Sequence, residues 1–137
     1  MKAAARQFLV TVAALGSRTF TEQTGGEKKS EVTKWRDGGA ISSDNIFSPP
    51  ETSDVVVKNA YDSDVDGAML SNLLGQVGVL STTITKVPLF GDMSRIAGVK
   101  PFVYTGAVLA GVKLPDVNAN SGEAATYELT FAVNNLS

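Results

Sequence analysis

The sequence predicts a mainly β fold carrying one helix. Three observations lead there. Thirteen glycines, with frequent Thr, Ser, Val and Asn, favour strands and turns. Tyr127, Leu129, Phe131 and Val133 alternate with Glu128, Thr130, Ala132 and Asn134, the period of a half-buried strand. Helical period is strong in one stretch: Met69, Leu73 and Val77 recur every fourth residue, and Leu70 and Leu74 widen the stripe.

Residues 6–15 read as the first strand, with Phe8, Val10 and Val12 on one face. The same stretch, preceded by Lys2 and Arg6, has the layout of a signal peptide. Its apolar run from Phe8 to Leu15 is short and contains Thr11, so the strand reading is preferred. Gly25-Gly26 then separates two polar extended runs within 18–36 and reads as a hairpin turn. Phe20, Val32 and Trp35 are the large apolar residues of that region, too few for a core of its own. A two-stranded hairpin is marginal alone, so this one is expected to lean on a neighbouring subunit or on the rest of the chain.

Residues 37–54 read as a long irregular segment punctuated by Gly38-Gly39 and Pro49-Pro50. Ile41, Ile46 and Phe47 would sit in water on a free loop. The readings are a docking arm and an Ω-loop folded onto its own domain. A strand is expected over 54–61, the helix over 64–77 with Gly78 as its C-cap, and a further strand over 79–89. Residues 91–101 read as a loop. The chain then closes with a hairpin from Phe102 to Val133. Its first strand carries Phe102, Tyr104, Val108, Val112 and Leu114 on one parity, and Val103, Ala107 and Leu109 on the other. Apolar residues on both faces imply two packing partners.

The chemistry available is narrow. The chain contains no His and no Cys, which removes the commonest general base, the commonest zinc ligands and the thiol nucleophiles together. No enzymatic activity and no cofactor are expected. A net charge of −2 is not the balance of a protein that grips phosphates. The run DSDVDG, Asp62 to Gly67, matches the first half of a calcium loop, but Leu70 and Leu73 stand at the ninth and twelfth positions. The bidentate carboxylate is missing, so no metal site is assigned. The expected roles are Asp62 or Asp64 as N-cap and Asp66 in the first helical turn. These aspartates, with Asp116, Glu123 and Glu128, are expected on solvated faces. Gly106 to Gly111 continues as a strand rather than opening a helix, so it is not a phosphate loop. Lys28-Lys29 lacks aromatic neighbours and reads as a solvated turn.

The order of elements resembles a bacteriophage tail tube protein of the small single-domain kind. The segment YTGAVLAGVKLPDVNANSGEAATYELTFAV, Tyr104 to Val133, is similar to the tube-family ending, in which a strand reaches a Pro-Asp loop and a last strand returns. KWRDGG, Lys34 to Gly39, and VVVKNAYDSDVDGAMLSNLLGQVG after it resemble the middle of such proteins. The resemblance implies one domain over 1–137, built as an antiparallel β-sandwich or half-barrel with one flanking α-helix. It implies six subunits per ring, rings stacked into a tube, and a lumen that conducts DNA during ejection. Related tubes occur in contractile tails and type VI secretion.

The partners so implied are further copies of the chain and other tail proteins, with sheath, tape measure and baseplate as candidates. Double-stranded DNA would pass without specific binding, and no small-molecule substrate is implied. The location implied is the virion tail, after synthesis in the host cytoplasm. Trp35, Arg36, Ile41, Ile46 and Phe47 are the expected contact between rings or subunits. Thr21, Gln23, Lys29, Glu31 and Thr33 are the expected subunit-pairing or lumen residues. The competing readings are a tail-completion or capsid decoration protein and a β-sandwich carbohydrate-binding module. The last would need exposed aromatics as a sugar platform.

Overall fold

The computed structural model describes residues 2, 4–16, 18–39, 42–90, 92, 94, 96, 98–120 and 122–137. The strands are β1 (Phe8–Val12), β2 (Thr19–Phe20), β3 (Glu22–Gly25), β4 (Lys28–Lys29), β5 (Val32–Trp35), β6 (Asp44–Phe47), β7 (Glu51–Thr52), β8 (Val55–Ala60), β9 (Ser81–Pro88), β10 (Phe102–Lys113), β11 (Thr126–Ala132) and β12 (Asn135–Leu136). One α-helix, α1 (Asp66–Leu74), lies between β8 and β9, and short 3-10 turns flank β1 at Ala5–Gln7 and Ala13–Leu15.

The main sheet is antiparallel and runs β2-β1-β9-β10-β11-β8-β3, with β12 added beside β10. Its two end strands, β2 and β3, are separated in the chain by Thr21 alone. The sheet therefore curls until its edges come together, giving the expected half-barrel. Val12, Val55, Val57, Ile84, Ala107, Leu109, Tyr127, Leu129 and Phe131 fill it and are fully buried. Phe20 meets Tyr127 edge-on, with ring centroids 6.4 Å apart. Burial pushes the Tyr127 and Tyr104 phenols above their ordinary value of 10.0. The helix closes one side by placing Leu70 and Leu73 against this core.

Four expectations are corrected. The strand expected over 6–15 is β1 alone, because tight turns at both ends take the backbone out of the sheet. The helix is shorter than 64–77: Gly75 caps it, and Leu74 and Val77 are exposed rather than buried. Gly78 lies in the following turn, where its N–H donates to the Leu109 carbonyl at 2.7 Å. The two apolar parities of β10 do not mean two covered faces. The register shifts between Tyr104 and Ala107 and again between Leu109 and Gly111. Each shift changes which parity faces inward, so Tyr104 and then Ala107 and Leu109 all reach the core.

The fourth concerns Asp66. It is buried, not solvated, and its carboxylate forms an ion pair with Arg18. Its other oxygen accepts the Asp62 N–H at 2.8 Å. The Asp62 carboxylate accepts the Asp64 N–H at 3.0 Å instead of capping the helix, whose N-cap is Val65. The helix start is thus tied to the barrel by a charge pair where the expected cap would have bound only the helix itself.

Candidate assembly surface

The largest departure from the sequence reading lies between Glu22 and Ala60. Gly25-Gly26 is not a hairpin turn. β3 pairs with β8, β4 with β7 and β5 with β6, so the outgoing run 22–35 faces the returning run 44–58 throughout. The segment 37–54 is accordingly not an irregular loop. Most of it is the returning half of a long two-stranded arm whose turn lies beyond Trp35.

Backbone bonds carry the ribbon between the strands: Gly26 N–H to the Asp54 carbonyl at 3.0 Å, Ser53 N–H to the Glu27 carbonyl at 2.9 Å, and Ser48 N–H to the Glu31 carbonyl at 2.9 Å. The register slips once. Ser30 and Glu31 lie opposite Ser48, Pro49 and Pro50. Proline has no N–H for the ladder and belongs at such a bulge. The double proline thus reads as a kink in a strand, not as loop punctuation.

The two glycines mark where the ribbon leaves the barrel. Both have positive φ, +77° each. A Cβ on Gly25 would meet the Asp54 carbonyl oxygen at 2.1 Å, and one on Gly26 would meet the Tyr104 ring at 2.5 Å. Lys28 steadies the base by donating to the Asn135 side chain at 3.0 Å and to the Leu136 carbonyl at 3.3 Å. Beyond this point no described residue of the arm, from 27 to 52, is buried.

The expected contact residues fall as follows. Trp35, Ile46 and Phe47 are 58 %, 53 % and 63 % exposed, and Val32, absent from the expected set, is 49 % exposed. Residues opposite one another in an antiparallel pair share a face, and faces alternate along each strand. The register Val32↔Phe47, Thr33↔Ile46, Lys34↔Asn45, Trp35↔Asp44 then divides the arm. One face carries Val32, Lys34, Asn45 and Phe47. The other carries Thr33, Trp35, Asp44 and Ile46. Ile46 and Phe47 are both exposed but lie on opposite faces. The Trp35 indole N–H donates to Asp37 at 2.9 Å. Arg36 is exposed just past β5, and Ile41 lies outside the described residues.

The second expected set is not one surface. Thr21 and Gln23 belong to the barrel: the Thr21 hydroxyl donates to the Lys58 carbonyl at 3.2 Å, and the Gln23 amide oxygen accepts from Lys86 at 3.0 Å. Lys86 also stands 5.1 Å from the Phe8 ring centroid. The Lys86 contacts bridge the seam where β1 and β3 approach. Lys29, Glu31 and Thr33 lie out along the arm.

A further surface was not foreseen. At the Ala60 end of β8, Tyr61, Leu70, Leu74, Leu114 and Pro115 line a groove of about 370 Å³. The sequence placed Leu74 and Leu114 on buried stripes, which hid it. Among the described residues no cluster of carboxylates could hold a metal ion, and no helix is long and apolar enough to cross a membrane.

No protein-family model matches this sequence, and no curated protein matches it. Solved structures do match the fold. A chain in the cap of the anti-feeding prophage, a tube-terminating cap, superposes with a TM-score of 0.77 at 14 % identity, over 100 % of this chain and 90 % of that one. A chain in the sheath/tube terminator of the PVC extracellular contractile injection system, in its extended state, gives 0.76 at 17 %, over 100 % and 96 %. Hcp1 from Flavobacterium johnsoniae gives 0.51 at 11 %, over 96 % and 93 %. At these identities the likeness is one of fold. The class it defines is plain: this chain has the tail-tube fold shared by tube and cap components of contractile injection systems.

Proposed function

We propose that this protein is a structural, non-enzymatic subunit that polymerises as stacked hexameric rings into a tail tube, a conduit for DNA ejection. The observation that carries the reading is the arm. A ribbon of backbone hydrogen bonds with exposed Val32, Trp35, Ile46 and Phe47 has no core of its own, and isolated two-stranded ribbons are marginal in water. A neighbouring subunit supplies what the arm lacks. The full-length match to chains of tube and cap assemblies supports the same reading. The net charge of −2 suits a conduit that must pass a polyanion without holding it.

On this reading Trp35, Arg36, Ile46 and Phe47, with Ile41, form the contact between rings. Thr21 and Gln23 serve the seam, and Lys29, Glu31 and Thr33 the shaft of the arm. Tail proteins such as sheath, tape measure and baseplate complete the assembly in the virion. Negative-stain microscopy over a concentration series, with mass measurement, tests the reading. Rings or hollow tubes are expected. The double substitution Ile46→Asp/Phe47→Asp is expected to leave folded monomer and abolish tubes. A wild-type chain that stays monomeric throughout, and after addition of its baseplate proteins, overturns the proposal.

A further inference from the structure

The arm and the groove stand at opposite ends of the same strand. The arm leaves the barrel at Val55, and the groove begins at Tyr61, just past Ala60. β8 spans about 20 Å at ~3.3 Å per residue. The groove walls come from the matching ends of other elements: Leu114 and Pro115 follow directly after β10, whose Lys113 pairs with Glu128 near the start of β11. The molecule therefore carries a protruding apolar element at one end and an apolar recess at the other.

Both are uncovered in the single chain. Tyr61, Leu74 and Leu114 are exposed, with Leu70 as a buried floor. Acidic residues flank the groove along the chain: Asp62 and Asp116, the neighbours of Tyr61 and Pro115, are exposed, and Lys113 lies 3.9 Å from the Asp116 carboxylate. The two arm faces differ in charge. Phe47 and Val32 share theirs with Lys34, whereas Trp35 and Ile46 share theirs with Asp44.

We infer that the groove between α1 and the Leu114–Pro115 segment is the receptor for the arm of a second copy, entered by the Phe47 face. Phe47 seats against Leu74 and Leu114, and Lys34 meets Asp62 and Asp116. The Trp35 face would bring Asp44 against those same acidic residues, which disfavours it. Because donor and receptor lie at opposite ends, the contact is head-to-tail, and its repetition builds an open stack rather than a closed dimer. The inference rests on the proposed polymeric role and adds which surfaces meet.

The absence of cysteine makes the test clean. A Phe47→Cys/Leu74→Cys variant, assembled and then oxidised, is expected to give a ladder of covalent multimers on a non-reducing gel. Trp35→Cys/Leu74→Cys, treated alike, is expected to give none. Lys34→Glu is expected to raise the concentration needed for assembly by up to about five-fold, the reach of an exposed ion pair. Asp62→Lys/Asp116→Lys is expected to reverse that effect. Tubes without the Phe47 ladder, or equal ladders from both variants, overturn this inference and leave the polymeric role standing. A wild-type chain that forms no rings or tubes, alone or with its baseplate proteins added, overturns both.

Discussion

The barrel and the arm are built from the same secondary structure and are held in different ways. In the barrel, Tyr127, Leu129 and Phe131 alternate inward and are fully buried. In the arm, Val32, Phe47, Trp35 and Ile46 alternate across both faces and all are exposed. Backbone bonding does not distinguish them. The difference is what lies behind the strands, and it teaches that a chain can be finished as a ladder and unfinished as a packed object. The barrel is held by its own burial, and the arm leaves its apolar side chains exposed.

The sharpest way to break this comparison is to make the same change in each region. Phe131→Ala removes a ring from a filled core and is expected to cost about 3–5 kcal/mol. Phe47→Ala removes a ring from water and is expected to shift monomer stability by no more than about 0.5 kcal/mol. Denaturant unfolding of the two variants under dilute, monomeric conditions measures both. A comparable loss from Phe47 would mean that the arm folds against its own barrel.

The next effect concerns how the helix is fixed to the barrel. Asp66 is buried and its charge is met by Arg18. Arg18→Met leaves that carboxylate without its partner and is expected to cost about 3–5 kcal/mol. Adding Asp66→Leu removes the stranded charge and is expected to recover much of the loss, as measured by a double-mutant cycle. Among the described arm residues none is a buried charge with an ion-pair partner. A double variant no more stable than Arg18→Met would show that the pair's hydrogen bond to Asp62, not its charge, fixes the helix.

What was legible in the sequence follows the same division. Tyr127 to Val133 announced a half-buried strand because burial imposes period two, and the helix announced itself through Leu70 and Leu73. The layout of elements carried the tail-tube resemblance. The arm was half legible: its exposed apolar residues were evident, its pairing was not. Gly25-Gly26 has the composition of a hairpin turn but serves a close passage over Asp54 and Tyr104, and local composition cannot tell these apart. Pro49-Pro50 hid a strand because a bulge and a loop use the same residue. The groove was illegible since Leu74 and Leu114 continue apolar patterns past the point where the elements end, and only the fold shows where burial stops.

The smallest effect separates two opposed charge pairs, one in each region. Lys58 and Glu128 face each other across β8 and β11 with nitrogen and oxygen 2.9 Å apart. Lys29 and Glu51 occupy the equivalent relation across β4 and β7, but among the described residues their side chains make no ion pair. The hydrogen bond and charge of Lys58 hold Glu128 below its ordinary value of 4.5, and Glu128 holds Lys58 above 10.5. The signs follow by linkage. The Glu128 contribution is fully present above 4.5 and is lost as pH falls through the lowered folded value. The Lys58 contribution is fully present below 10.5 and is lost as pH rises through the raised folded value. Glu128→Gln is therefore expected to lower the thermal midpoint slightly at neutral pH and to converge with the wild type in acid. Glu51→Gln is expected to track the wild type at every pH. A Glu51 effect as large as that of Glu128 would mean that the arm is as firmly held in solution as the barrel wall.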